Sequence, residues 1–420
     1  MSILLKGAKI VDNKSNYNFI QKDILINDGV ITDIADNINS KASKVLNLEN
    51  LHVSRGWMDT SVSFGEPGFE ERETILNGLY TSAASGFTSI LLNPNCFPLI
   101  DNHSSVEFLK RKSKDQTSQI YPIANLTINS SGEELTSLYD MKTAGAVAFG
   151  DYKKVINDSS MLKIALEYTK TFGGRVISFC QDESLSLNGV INEGLTSTEN
   201  GLKGIPDIAE SILIFRDIEI LRYSGGKLHI PFVNTKKGVE LIRNAKKEKL
   251  DITSSVSISH IINSDQDILD FDTNFKLNPP LRKSDDISAL KKGLIDGTID
   301  FITSMHEPID EDNKKVVFDD ALPGTIALEC VFGLMLNNFP LEKTIEILTN
   351  KKSIFNIDDY SIEKGNKADL SLFNPDKNYK FTEKHILSTS KNCSFIGKDL
   401  SGIVYGSINN NQITLNDLWT

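Results

Sequence analysis

Histidine and cysteine are scarce in this chain, with six and four residues in 420. The cysteines, Cys96, Cys180, Cys330 and Cys393, are far apart and form no C-x-x-C pair. That excludes a disulfide-stapled scaffold and points to reduced, mostly buried thiols. Long hydrophobic runs are also missing. Stretches such as Ser89–Leu92 and Val331–Leu336 are among the longest, far short of the ~20 apolar residues that cross a bilayer. No Lys/Arg-rich stretch stands out, and 45 basic against 56 acidic residues leave a formal charge of −11. This argues against a nucleic-acid or anionic-membrane surface. The start, Met1-Ser2-Ile3-Leu4-Leu5-Lys6, enters an alternating pattern without a basic segment followed by a long apolar one. We therefore expect no secretory signal and a cytoplasmic protein.

The length, at roughly 150 residues per domain, allows two or three domains or one large α/β barrel with an accessory module. The first fifty residues read as short strands, Ile3–Val11, Asp23–Ile26 and Val30–Ile34, with an Asn27-Asp28-Gly29 hairpin turn. The last fifty behave alike, with Ala368–Phe373, then Gly402–Ile408 running into Asn409-Asn410-Asn411. Residues 1–53 with 365–420 are expected to form a small β-sandwich-like domain built from both termini.

Residues 54–364 alternate short β-rich runs with amphipathic stretches. The candidate strands are Trp57–Val62, Thr88–Asn93, Gln119–Leu126, Ala146–Phe149, Arg175–Cys180, Leu228–Val233, Ile252–Ser257 and Ile299–Ser304. Apolar residues at three- and four-residue spacing predict helices over Glu73–Ser85, Met161–Thr171, Ile208–Tyr223, Gly238–Lys249 and Ile287–Leu294. An open doubly wound sheet would also alternate. However, no G-x-G-x-x-G or Walker sequence follows any strand, so a closed (β/α)8 TIM barrel is preferred, with its active-site groups at the strands' C-terminal ends.

The segment Gly56-Trp57-Met58-Asp59-Thr60-Ser61-Val62-Ser63-Phe64-Gly65-Glu66-Pro67-Gly68, followed by Arg72-Glu73-Thr74, resembles the first-strand signature of dihydroorotases in the amidohydrolase superfamily. Further matches run in order through Asn93-Pro94-Asn95, Gly145–Asp151, Gly201–Pro206, Asp272–Arg282, Asp296–Asp300 and Gly365–Leu370. The resemblance implies a metal-dependent hydrolase of the cyclic amide of dihydroorotate, with zinc at the barrel mouth. It also places Ser61 and Ser63 where the family has a His-x-His pair. Phe179 stands at the fifth-strand histidine, Phe232 at the second histidine of a sixth-strand H-x-x-H that keeps His229, and Met305 at the eighth-strand aspartate. Asp151 alone matches an acidic position that bridges metals in part of the family. On the substrate side, Gly65 replaces an arginine and Ile309 a histidine, while Asn95 and Asn278 match substrate-binding asparagines.

The consequence follows from coordination chemistry. Zinc needs three or four imidazole, thiolate or carboxylate donors at ~2.0–2.3 Å. Serine hydroxyls are poor donors, and phenylalanine and methionine offer essentially nothing to hard or borderline ions. Without the ion, water is not activated and the Lewis acid is lost with it. No zinc is therefore expected. Asp151, Asp182, His229, His260 and His306 are the groups from which a metal site could be rebuilt, yet no two share a recognised ligand spacing. His306, beside Glu307, could keep an acid–base role or make a structural hydrogen bond. Cys180 has no identifiable base, and a buried thiol is the simpler expectation. Phe179 and Phe232 are expected to fill the old metal cavity with apolar volume.

Two functional readings remain. One is a dihydroorotase-like protein of pyrimidine biosynthesis that is catalytically inactive and serves as a structural or regulatory partner. Non-catalytic chains of that family assemble with aspartate carbamoyltransferase, which makes that enzyme the candidate partner alongside a homodimer. The other is an active hydrolase of a cyclic amide C–N bond, working through a rebuilt or metal-free site.

Overall fold

A computed structural model describes residues 1–268 and 270–420. The two ends of the chain form one sheet, ordered Gln412–Leu415, Asp399–Asn409, Leu370–Lys380, His52–Arg55, Ser2–Ile10, Gln21–Asn27 and Val30–Ala35, with Lys44–Leu46 beside Ser2–Ile10. The ends meet at His52–Arg55. This strand runs antiparallel to Leu370–Phe373, with Leu370 opposite Arg55, and parallel to the first strand, with Ile10 opposite Val53. Alternating apolar positions such as Ile3, Leu5, Ile24 and Ile26 face Leu370, Leu372 and Ile403 in a separate core.

The middle of the chain forms eight parallel strands in sequence order, Trp57–Val62, Phe87–Leu92, Gln119–Ala124, Ala148–Phe149, Val176–Ile177, Leu228–Ile230, Ile252–Ser257 and Phe301–Thr303. Most are buried from end to end, as parallel strands covered on both faces must be. The last strand returns to the first. Asp59 accepts hydrogen bonds from Thr303 Oγ1 and, at 2.9 Å, from the Ser304 amide, and the Ser63 amide donates to His306 O at 2.8 Å. These contacts close the barrel just below its mouth. Met58, Leu91, Ile123, Ile177 and Phe301 pack with Phe355 and Ile357 in a second apolar layer.

The surrounding helices follow from capping and periodicity. Thr74 accepts from the Asn77 amide at the start of Ile75–Ala84, and Thr235 does the same for Gly238 ahead of Lys236–Lys247. In the latter helix Val239, Ile242 and Ala245 face the strands, and Lys246 and Lys247 lie at the C-terminal end, where the helix dipole favours cations. Among the described residues no helix is long and apolar enough to cross a membrane.

Candidate functional site

The barrel mouth is where strand ends and loops bring the sequence-predicted residues together. Ser61 and Ser63 lie at the end of the first strand, both buried. The Asn93 side-chain amide, from the end of the second strand, donates to Ser61 Oγ at 2.9 Å and Ser63 Oγ at 3.0 Å. The two hydroxyls are thus tied into a neutral hydroxyl–amide bridge.

Opposite them the mouth is apolar. Phe179, Phe232 and Met305 join Ile191, Ile268, Leu277, Leu281 and Phe318 in one buried cluster. Phe232 stands edge-on to Phe179 at 6.4 Å between ring centroids and to Tyr152 at 6.2 Å. Phe232 and Met305 have φ of 55° and 50°, in the left-handed region that bulky side chains avoid. Such a conformation costs of order 1–3 kcal/mol and persists only where the surrounding structure over-determines it.

The polar candidates are each spoken for. Asp151 accepts from the Leu126 and Thr127 amides at 2.9 and 3.1 Å and from Thr127 Oγ1 at 2.6 Å, so it stitches the third and fourth strand ends together. Burial raises its pKa. His229 holds Thr253 Oγ1 on Nδ1 at 2.9 Å and Ser255 Oγ on Nε2 at 3.1 Å. Its complete burial lowers its pKa to about 3. His306 Nδ1 accepts from the Ala327 and Leu328 amides at 3.3 and 3.4 Å, which places the ring proton on Nε2, 3.4 Å from Ser388 Oγ. Ser388 in turn donates to Glu329 at 2.7 Å. That polarity is the reverse of a base activating a serine. Burial holds His306 neutral, with a pKa lowered to about 4.

Among the positions that the resemblance assigns to substrate, Gly65 is enclosed: a Cβ there would lie 1.7 Å from Phe69 O. Ile309 is buried, its amide donating to Asn392 Oδ1 at 3.1 Å. Asn95 and Asn278 each carry a buried side-chain oxygen with no hydrogen-bond partner among the described residues. Asp182 lies apart, capping the short helix Glu183–Ser186, and His260 Nε2 donates to Pro279 O at 3.0 Å. Burial, with Asp217 Oδ2 3.4 Å from the sulfur, pushes the Cys180 thiol pKa well up.

Residues 52–238 match the dihydro-orotase-like family. Over 424 residues the chain is 36% identical to a dihydroorotase of Pelotomaculum thermopropionicum, with 99% of each covered. It is 37% identical over 423 residues to one of Acetivibrio thermocellus, again with 99% of each covered. This chain belongs to the dihydroorotase family. Among solved structures, the L-hydantoinase (dihydropyrimidinase) of Arthrobacter aurescens superposes with a TM-score of 0.84 at 20% identity, covering 98% of this chain and 95% of that one. A D-hydantoinase gives 0.80 at 17% identity, with 99% and 96% covered. These share the barrel-plus-sandwich fold.

The residues of this dihydroorotase-family chain do not fit a zinc ion. Among the described residues no three His, Cys, Asp or Glu side chains converge as ligands. The serines are bonded to Asn93, His229 has both nitrogens engaged, and the fifth, sixth and eighth strand ends supply carbon and thioether.

Sequence reasoning did not single out three mouth residues. Lys153 and Glu307 pair across the mouth at 2.6 Å, the ammonium lying 5.1 and 5.8 Å from the Tyr152 and Phe232 ring centroids. Phe318 reaches in from a loop that the buried Lys276 anchors by donating to Phe318 O and Asp319 O, each at 2.7 Å. The available signal for the pair was opposite charge next to two rim positions, Asp151 and His306.

Proposed function

We propose that this chain is a non-catalytic member of the dihydroorotase family that acts through protein contacts, as a homodimer and with aspartate carbamoyltransferase as candidate partner. One observation carries the reading. Phe179, Phe232 and Met305 pack the point where ligands would converge, and the cavity beside Phe232 that Ser61, Asn93, Tyr152 and His229 line measures about 20 Å³. That is room for about one water, against the hundreds of Å³ that small-molecule sites occupy. The enclosed Gly65 supports the same reading, since the loop has closed over the place of the substrate-gripping arginine. A hydrolase built on Asp151 and His306 is disfavoured because each is held in hydrogen bonds to its own strand ends and loops. The transferase rests on the family resemblance.

Elemental analysis and a dihydroorotate turnover assay on chelator-free protein test the first half. Zinc far below one equivalent and no turnover above background are expected; stoichiometric zinc, or turnover that a chelator abolishes, defeats the reading. Co-purification with the transferase from the native organism tests the partner. A transferase that assembles and works normally without this chain rules it out.

A further inference from the structure

The loop after the eighth barrel strand, residues 307–324, holds two exposed valines between buried anchors. Lys314 donates to Leu322 O at 3.0 Å and Gly324 O at 2.8 Å, and Lys276, from the loop after the seventh strand, donates to Phe318 O and Asp319 O at 2.7 Å each. Thr273 Oγ1 ties the two loops together by donating to Lys314 O at 2.7 Å. Between these anchors Val316 and Val317 are 41% and 67% exposed. Phe271, edge-on to Phe318 at 6.4 Å between ring centroids, is 49% exposed beside them. Apolar side chains held out on a fixed loop have already lost the freedom that binding would otherwise cost, which is the arrangement of an interface anchor.

The surroundings are acidic. The three loops that pack over the mouth, residues 181–207, 264–283 and 307–324, carry fifteen acidic against six basic residues, a far larger imbalance than the 56 to 45 of the whole chain. Three of those six cations are buried: Lys276 and Lys314 are engaged by the carbonyls above, and Arg282 donates to Asn192 Oδ1 and Ile205 O at 2.7 Å each. Around the valines, Asp270, Asp272, Glu311, Asp312, Asp319 and Asp320 are exposed. Among the described residues only Glu311 of these has a cation in ion-pair range, Lys315 at 2.9 Å. The loops meet along a groove of about 230 Å³ lined by Val190 and Ile205 from the first, Leu277 and Asn278 from the second and Pro323 from the third. Gln181 and Asn278 on its wall each keep a buried side-chain oxygen with no donor among the described residues.

We infer that the closed mouth is a docking face for a protein partner whose contact surface is basic and offers an apolar recess for Val316 and Val317. The inference rests on the protein-contact reading above and names the face and the partner chemistry that reading requires. Charge selects the occupant. Nucleic acid and anionic lipid carry the sign of the rim and are repelled, as is this same face on a second copy. Lysine or arginine side chains meet unpaired carboxylates on the rim and bring the N–H donors that the two carboxamide oxygens lack.

A labelled amphipathic helix of lysine and leucine, titrated into the full chain, probes this chemistry, with a glutamate–leucine helix as the reverse-charge control. The lysine probe should bind, weaken as salt is raised, and protect amides in residues 270–276 and 311–324 from hydrogen exchange. Val316→Ser with Val317→Ser, which leaves the charge unchanged, should weaken binding at least about tenfold with an unchanged circular dichroism spectrum. Asp319→Lys with Asp320→Lys, which leaves the valines in place, should do the same and decides the matter if the first variant misfolds. Glu49→Lys, an exposed site in the terminal sheet domain, should leave binding intact. No binding of the lysine probe, equal binding of the glutamate probe, protection elsewhere only, or binding that either folded mouth variant leaves unchanged overturns the inference. Zinc content, turnover and co-purification with the transferase report on the non-catalytic reading separately, so the two can fail independently.

Discussion

Lys153 Nζ lies 2.6 Å from Glu307 Oε2, joining the loops that follow the fourth and eighth barrel strands across a mouth that apolar side chains fill. The pair is nearly buried, with side chains 10% and 13% exposed. It brackets Tyr152 and Phe232 like a clasp, and an ion pair held away from water is sensitive to losing one member.

Lys153→Met or Glu307→Gln alone should therefore destabilise the fold by about 1–3 kcal/mol, through the charge left without its partner. The double variant Lys153→Met with Glu307→Met should cost less than the sum of the single changes. Urea denaturation of all three gives the coupling, and strict additivity would show that the two side chains do not act as a pair.

Restoring only the first-strand imidazoles, Ser61→His with Ser63→His, should yield no dihydroorotate hydrolysis. Phe179, Phe232 and Met305 still supply no ligands and Gly65 still leaves no substrate grip, and groups that act as a unit do not contribute separately. A turnover assay with added zinc checks this, and measurable hydrolysis would mean that fewer parts are missing than we count.

Gly65→Ala should destabilise the protein by more than about 2 kcal/mol, because the added carbon meets Phe69 O in a loop already fixed by the Gly65 and Glu66 amides donating to Glu73 O. Thermal denaturation reads the effect. A variant as stable as the wild type would show that the loop can open, and would reopen the question of an arginine there.

Acid should weaken the fold through its buried imidazoles. His229 is held neutral with a pKa near 3, whereas in the unfolded chain it titrates near 6.5. Between those values the unfolded state binds the extra proton, so this contribution to stability is intact above about pH 6.5 and is lost as pH falls. In His229→Gln the dependence of unfolding free energy on pH between about 6.5 and 4 should be shallower by about one proton. Unfolding curves across that range measure the slope, whatever the variant's absolute stability; an unchanged slope would place the imidazole's titration elsewhere.

The barrel was legible along the chain because its rules are local. Eight apolar runs, each followed by a turn or a periodic helix, mark parallel strands whether or not their neighbours are known, and the predicted strand Trp57–Val62 and helix Ile208–Tyr223 lie within a residue of their places in the structure. The residues that the resemblance sets at the family's ligand positions need no tertiary information to be named, since Ser61, Phe179 and Met305 are identities read one at a time. What those identities do together depends on distance in space. Asn93 bridging two serines, Asp151 turned to the Thr127 amide and the Lys153–Glu307 clasp join segments 24 to 154 residues apart. Only the folded chain sets such separations, because each hydrogen bond exists at one distance and angle that sequence spacing does not encode. Residues 316–318 belong to the same class: the chain order shows two valines and a phenylalanine in a row, and tertiary packing decided that Phe318 is buried while Val316 and Val317 are left to the solvent, because the buried Lys276 and Lys314 fix the carbonyls of their loop.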